Sequence, residues 1–141
     1  DAGRVCDEPL ILLDLYRTLA QLTGQSLPKD AGEDSFDFSP LLTLLDTSEL
    51  PPIREHLVHH SGGGVFALRS GPWKLIFGKG SGGFTRWMPP QDAPAGQLYN
   101  LDVDPGELNN LYGQEPEVVA RLSARMQEIK DAGRSAPLPA D

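Results

Sequence analysis

Cysteine is nearly absent. The chain holds one in 141 residues, Cys6, which excludes a disulfide framework within it. That scarcity does not name a compartment, because many exported proteins also lack disulfides. Positive charge is scarce as well: 12 Lys and Arg stand against 20 Asp and Glu, a net charge of -8. Such a balance argues against a nucleic-acid backbone or an anionic membrane surface as the main partner. No run approaches the roughly 20 apolar residues needed to span a bilayer. There is no internal repeat. Nor does an initiator Met or a signal-peptide pattern precede Asp1, so the chain is expected to be a processed form, an expression product or a piece of something longer.

What is present suffices for a core. At 39% hydrophobic and 23% charged, the composition is that of a globular domain of ordinary size. Glycine (15) and proline (13) cut it into short elements. Leu12, Leu15, Leu19 and Leu22 recur at steps of three, four and three, one face of a helix. Asp14 is placed to cap that helix, and Gly24 to supply a left-handed residue after its end. Residues 28–52 read as a linker with one brief helix over 39–45. Four short runs follow, 57–60, 65–69, 73–77 and 97–101, separated by Gly and Pro as in an antiparallel meander. Pro116 suits a first helical position, and Val119, Leu122, Met126 and Ile129 form a second helical stripe that Gly133 ends.

The expected fold is therefore α+β: about four antiparallel strands, a C-terminal helix on one sheet face, and an N-terminal helix with a linker. The expected division is an N-terminal arm over 1–52, a sheet and helix over 53–133, and a frayed tail over 134–141.

Charge is unevenly spread. No Asp or Glu occurs from His56 to Gln91, a stretch that holds Arg69, Lys74, Lys79 and Arg86 and all three histidines, His56, His59 and His60. The stretch is locally +4 and the rest of the chain is -12. Lys79-Gly80-Ser81-Gly82-Gly83 has the character of a turn whose backbone N–H groups hold a small oxyanion beside a cation. The competing reading is a hairpin with a solvated lysine. The spacing is not that of a P-loop.

On a helix, His56 and His60 would stand one turn apart and could share a metal. The β-like neighbours favour a strand, on which His56 and His60 share one face and His59 takes the other. Nothing completes a zinc set, so the chain is expected to bind no metal. Arg69 and Lys74 are expected to pair with acids such as Asp104 or Glu107. Trp73 and Trp87 fit a core better than a stacking site. Cys6 reads as a small hydrophobe, and the acids Asp14, Asp30, Glu33 and Asp34 lack EF-hand spacing.

Several pieces, in order, carry a resemblance: Asp14-Leu15-Tyr16-Arg17-Thr18-Leu19-Ala20 leading to Gly24 and Leu27-Pro28; Ala31-Gly32-Glu33-Asp34-Ser35 and Pro40-Leu41-Leu42; Arg54-Glu55-His56-Leu57-Val58-His59-His60-Ser61; Phe66-Ala67-Leu68-Arg69 and Gly71-Pro72-Trp73-Lys74-Leu75; Gly80-Ser81-Gly82-Gly83; and Leu98-Tyr99-Asn100-Leu101, Asp104-Pro105-Gly106-Glu107 and Asn109-Asn110-Leu111. Together they resemble the C-terminal part of formylglycine-dependent sulfatases of the arylsulfatase A-like bacterial kind, in the alkaline-phosphatase-like superfamily.

The resemblance implies a parent that hydrolyses aryl or carbohydrate sulfate esters with a formylglycine and a Ca²⁺ ion, both held in an N-terminal domain outside this chain. The metal and cations would offset charge on the sulfuryl oxygens. Cys6 lies in Val5-Cys6-Asp7-Glu8-Pro9, which lacks the family's Cys-x-Pro/Ala-x-Arg pattern. No catalytic residue is therefore carried over, and the chain alone is expected to be inactive. Its expected partners are the catalytic domain of the same polypeptide and a sulfate ester, with self-association through an exposed docking face. The family's periplasmic or secreted setting is implied too. His59, His60, Lys79, Gly80, Ser81, Gly82 and Gly83 are the expected rim of the substrate mouth. The alternatives are a free-standing binding module for sulfated or phosphorylated sugars, or part of a related phosphoesterase.

Overall fold

The computed structural model describes residues 3, 5–44, 46–80, 82–84 and 89–138. The chain divides into two compact units, Asp1–Glu55 with Ala132–Asp141, and His56–Asp131.

The first unit opens with a 3-10 turn, Leu12–Asp14, that runs into α1, Leu15–Leu22. Gly24 takes φ +66 just past the helix end, the left-handed conformation glycine adopts without a Cβ penalty. Asp14 does not cap as expected. Its carboxylate accepts the backbone N–H of Ile11 (2.9 Å) and of Phe36 (2.9 Å) and pairs with Arg54. Both charged side chains are buried, and the Arg54 guanidinium lies 4.4 Å from the Phe36 ring centroid. Thr18, one turn on from Asp14, accepts the N–H of Phe38 at 3.0 Å.

Buried Thr18 and Ala20 of α1, with Asp14 at the end of the preceding turn, thus form the inward side, and the leucine stripe is the outward one. Leu12 is 82% exposed, and Leu15, Leu19 and Leu22 between 40% and 55%. A second short helix, α2, spans Ser39–Thr43 with Pro40 in its first turn. The expected frayed tail is tied down where it begins. Ser135 donates through N and Oγ to Asp34 (both 2.8 Å), the N–H of Ala136 reaches the Glu33 carbonyl (2.9 Å), and Ala136 is buried.

The second unit is the expected meander. β1 (Leu57–His60), β2 (Phe66–Ser70), β3 (Trp73–Ile76) and β4 (Gln97–Asn100) pair antiparallel in sequence order. The register sets Val58 opposite Leu68, Leu68 opposite Leu75, and Leu75 opposite Leu98. Because strand side chains alternate, this row makes one apolar face.

α3, Pro116–Ala132, covers that face with Leu122 and Ile129. Leu68, Leu75, Leu98 and Leu122 are essentially inaccessible, each contributing about 1.5–3 kcal/mol by burial. Trp73 packs against this core, as expected, and Phe77 joins it. Trp87 lies outside the described residues. Asn110 closes the end of β4: its Oδ1 accepts the N–H of Leu98 and of Tyr112, each at 3.0 Å.

Candidate functional site

The strand reading of the histidines holds, and the meander separates them. His60 follows Val58 by two residues and shares the helix-covered face. His59 lies on the other, opposite Ala67. His60 sits 5.5 Å from the Phe66 ring, and its Nδ1 donates to the Ser61 carbonyl at 2.9 Å. That bond leaves Nε2 as the nitrogen a ligand would meet.

His60 stands where β1 runs into the 61–65 turn. This turn is joined to the loop after β3: the N–H of Gly63 donates to the carbonyl of Gly82 at 2.8 Å. The structure therefore brings His60, Lys79, Gly80, Gly82 and Gly83 to one end of the sheet. Ser81 lies outside the described residues.

The glycines of that loop answer to packing. A Cβ on Gly82 would meet Ser61 Oγ and the Val65 side chain, and one on Gly78 would come within 2.9 Å of Val65. Lys79 Nζ donates to the Gln91 carbonyl at 2.8 Å. Gln97, which the sequence did not single out, gathers the loop from below: its Nε2 donates to the carbonyls of Gly78 (2.9 Å) and Gly80 (3.1 Å), while its Oε1 accepts the Tyr99 hydroxyl (2.8 Å). Its place two residues before Tyr99 on one strand face is the only sequence signal for it.

Lys74 and Arg69 stand elsewhere, and Arg86 lies outside the described residues. Lys74 Nζ meets Glu107 Oε1 at 2.5 Å, one of the two acids expected for it, with both side chains mostly covered. Arg69 instead donates to the Gly71 carbonyl at 3.3 Å. Asp104, the other expected partner, accepts the N–H groups of Leu108 (2.9 Å) and Asn109 (2.8 Å). His59 lies within the field of this pair. Partial desolvation first, then the Lys74 ammonium, hold its pKa below 6.5, with Glu107 pulling the other way. Burial, followed by the carboxylates of Glu107 and Asp104, pushes the Tyr99 phenol up from 10.0. The acid-free stretch therefore divides between two places and does not gather at one lip.

Among the described residues, no group of three His, Cys, Asp or Glu side chains could hold a metal ion. No helix among them is long and apolar enough to cross a membrane.

No family model matches the chain. It is similar to an N-acetylgalactosamine-6-O-sulfatase of Bacteroides thetaiotaomicron, with 35% identity over 132 residues, covering 84% of this chain and 23% of the relative. It is similar to human arylsulfatase A, with 37% identity over 142 residues, covering 84% of this chain and 26% of the relative. A solved structure, from work on how Bacteroides thetaiotaomicron metabolises multiple glycosaminoglycans, superposes with a TM-score of 0.60 at 34% identity, covering 84% of this chain and 24% of that one. The chain spans about a quarter of the length of the curated relatives it matches.

Proposed function

Because this chain is homologous to a portion of the sulfatases, arylsulfatases among them, we propose that it is the auxiliary lobe of a sulfuric ester hydrolase. In this reading the lobe is inactive alone, and the formylglycine and Ca²⁺ belong to polypeptide outside the matched part. Residues 1–52 form an arm, and 53–133 form the sheet and helix that shape the substrate mouth. The observation that carries the reading is the match itself: most of this chain aligns with only a quarter of each relative.

The described residues do not fit the metal, since none of their acid, His or Cys clusters reaches three members. Cys6 is exposed and lacks the surrounding pattern of a formylglycine precursor. No catalytic step is therefore assigned to them. What they can offer a sulfate ester is a histidine nitrogen, a cation and backbone N–H groups. The sheet end that carries His60, Lys79, Gly80, Gly82 and Gly83 has all three. His59, on the other strand face, lies in the field of the Lys74–Glu107 pair and of His60. A partner for the lobe is also implied by the outward leucines of α1. Apolar surface of that kind marks an interface, and the rest of the polypeptide is its proposed cover. Release from that polypeptide would favour self-association. Localisation in the periplasm or outside the cell follows only from the kinship.

The test compares two preparations for hydrolysis of an aryl sulfate: this chain alone, and the chain joined to the rest of its polypeptide. Turnover is expected only from the second. In that enzyme His60→Ala and Lys79→Ala should each lower kcat/KM by roughly tenfold or more, the scale of one lost charge-assisted hydrogen bond. Turnover by the isolated chain would refute the assignment of the chemistry elsewhere. Unchanged kcat/KM in both variants would refute the rim.

A further inference from the structure

A cleft of about 370 Å³ opens in the second unit, where the apolar row of the sheet runs out. It is lined by His56, Ser70, Arg121, Leu122, Ala124, Arg125 and Glu128. Its composition follows from register. Leu57 pairs with Arg69, so His56 and Ser70 come side by side at the next position, on the face shared with Leu68 and turned toward α3. Arg121 and Arg125 are one turn apart on α3, beside the buried Leu122. Two arginines, a serine and a histidine thus line one cleft where the hydrophobic packing ends.

Their hydrogen-bonding state is uneven. Arg125 Nη1 donates to Glu128 at 2.9 Å, while its Nε–H is buried with no acceptor among the described residues. Arg121 is exposed and, among the described residues, paired with no carboxylate. The lining holds two arginines against one carboxylate, Glu128, which is paired with Arg125. Guanidinium forks suit oxyanions geometrically, and like charges one helical turn apart repel until an anion lies between them. Two forks and a hydroxyl present more donors than the two oxygens of a carboxylate can accept. A tetrahedral group with three or four oxygens matches them better. The volume falls within the range of small-molecule sites, well beyond a bare ion, and Leu122 and Ala124 supply an apolar wall.

We propose that this cleft binds the tetrahedral oxyanion, sulfate or phosphate, of a small organic ester, clasped between Arg121 and Arg125 with Ser70 as a further donor. The site uses neither His60 nor Lys79 and stands whether or not the sulfatase reading does.

The test is an NMR titration of the full chain with four probes: inorganic sulfate, inorganic phosphate, glucose 6-sulfate and glucose 6-phosphate, with glucose as the control. Saturable shifts are expected in the backbone amides of Ser70, Ala124 and Arg125, with the esters binding more tightly than the free ions. Comparison of the two esters shows which oxyanion the cleft prefers. Arg121→Ala, an exposed change that preserves the core, should weaken binding at least tenfold. Arg121→Lys should recover only part, because it returns the charge without the fork. His60→Ala should change nothing. Absence of saturable shifts at these amides would overturn the proposal. So would equal affinity in Arg121→Ala, or shifts centred on Lys79.

Discussion

The N–H of Gly63 donates to the carbonyl of Gly82 at 2.8 Å, and a Cβ on Gly63 would stand 2.7 Å from that same oxygen. One contact thus closes two loops and forbids a side chain where they meet. Gly82 adds its own constraint, with φ +62 and a Cβ position crowded by Val65. Gly63→Ala and Gly82→Ala should each cost about 1–3 kcal/mol through overpacking, and at Gly82 through left-handed strain as well. Gly62→Ala, which meets nothing within 4 Å, should be close to neutral. Urea unfolding of the three variants checks the ordering.

The buried pair of Asp14 and Arg54 gives a second prediction. Asp14 also holds two backbone N–H groups, so its loss strands one charge and two donors together. Asp14→Ala should destabilise the first unit by about 3–5 kcal/mol, the usual consequence of orphaning a buried ion. Hydrogen exchange of the Phe36 and Ile11 amides reports the loss. Unchanged protection there would show that the carboxylate does not hold them.

Glu107 occupies left-handed backbone, φ +55, while reaching Lys74. Glu107→Ala loses the pair and keeps the strain, whereas Glu107→Gly loses the pair and relieves it. The glycine variant should be more stable than the alanine variant by about 1 kcal/mol, against the usual order of the two residues outside such a position. Chemical denaturation of the two variants tests the sign.

His59 titrates below 6.5 because neighbouring atoms and Lys74 oppose its protonation. The unfolded chain therefore takes up the proton first. The associated stability is intact above pH 6.5 and is lost as pH falls from there through the folded-state pKa. Lys74→Met should raise the His59 pKa, and Glu107→Gln should lower it further. NMR titration of the imidazole reads both shifts. Movement of either in the opposite direction would show that the pair does not govern the ring.

The outward leucines of α1 give a fifth prediction. Leu15→Lys and Leu19→Lys alter exposed positions, so stability should move by no more than about 0.5 kcal/mol. Self-association of the chain, followed by sedimentation, should fall sharply. A monomeric parent chain, or variants that associate equally, would remove this face from the interface.

Local pattern alone determined the order and kind of the elements. Short β-rich runs between Gly and Pro became the four strands, and the stripe ending at Ile129 became the inner face of α3. Pairing a strand with its sequence neighbour needs only alternation and tight turns, and both are written locally. The rest depended on distance. Leu12, Leu15, Leu19 and Leu22 look like a core stripe because helical periodicity reports that a face is apolar, not what lies against it. Tertiary structure turned that face outward because the inward one is organised by Asp14 and Thr18, whose partners Phe36, Phe38 and Arg54 come from 20 to 40 residues away. Charge pattern named Glu107 as one of two partners for Lys74, but the acid-free stretch could not disclose that Lys79 is held by Gln91, or that His56 and Ser70 would line one cleft with two arginines of α3. Charge and shape become a site only when the fold brings remote side chains within a few ångströms, where desolvation and Coulomb attraction are strong enough to decide what each group does.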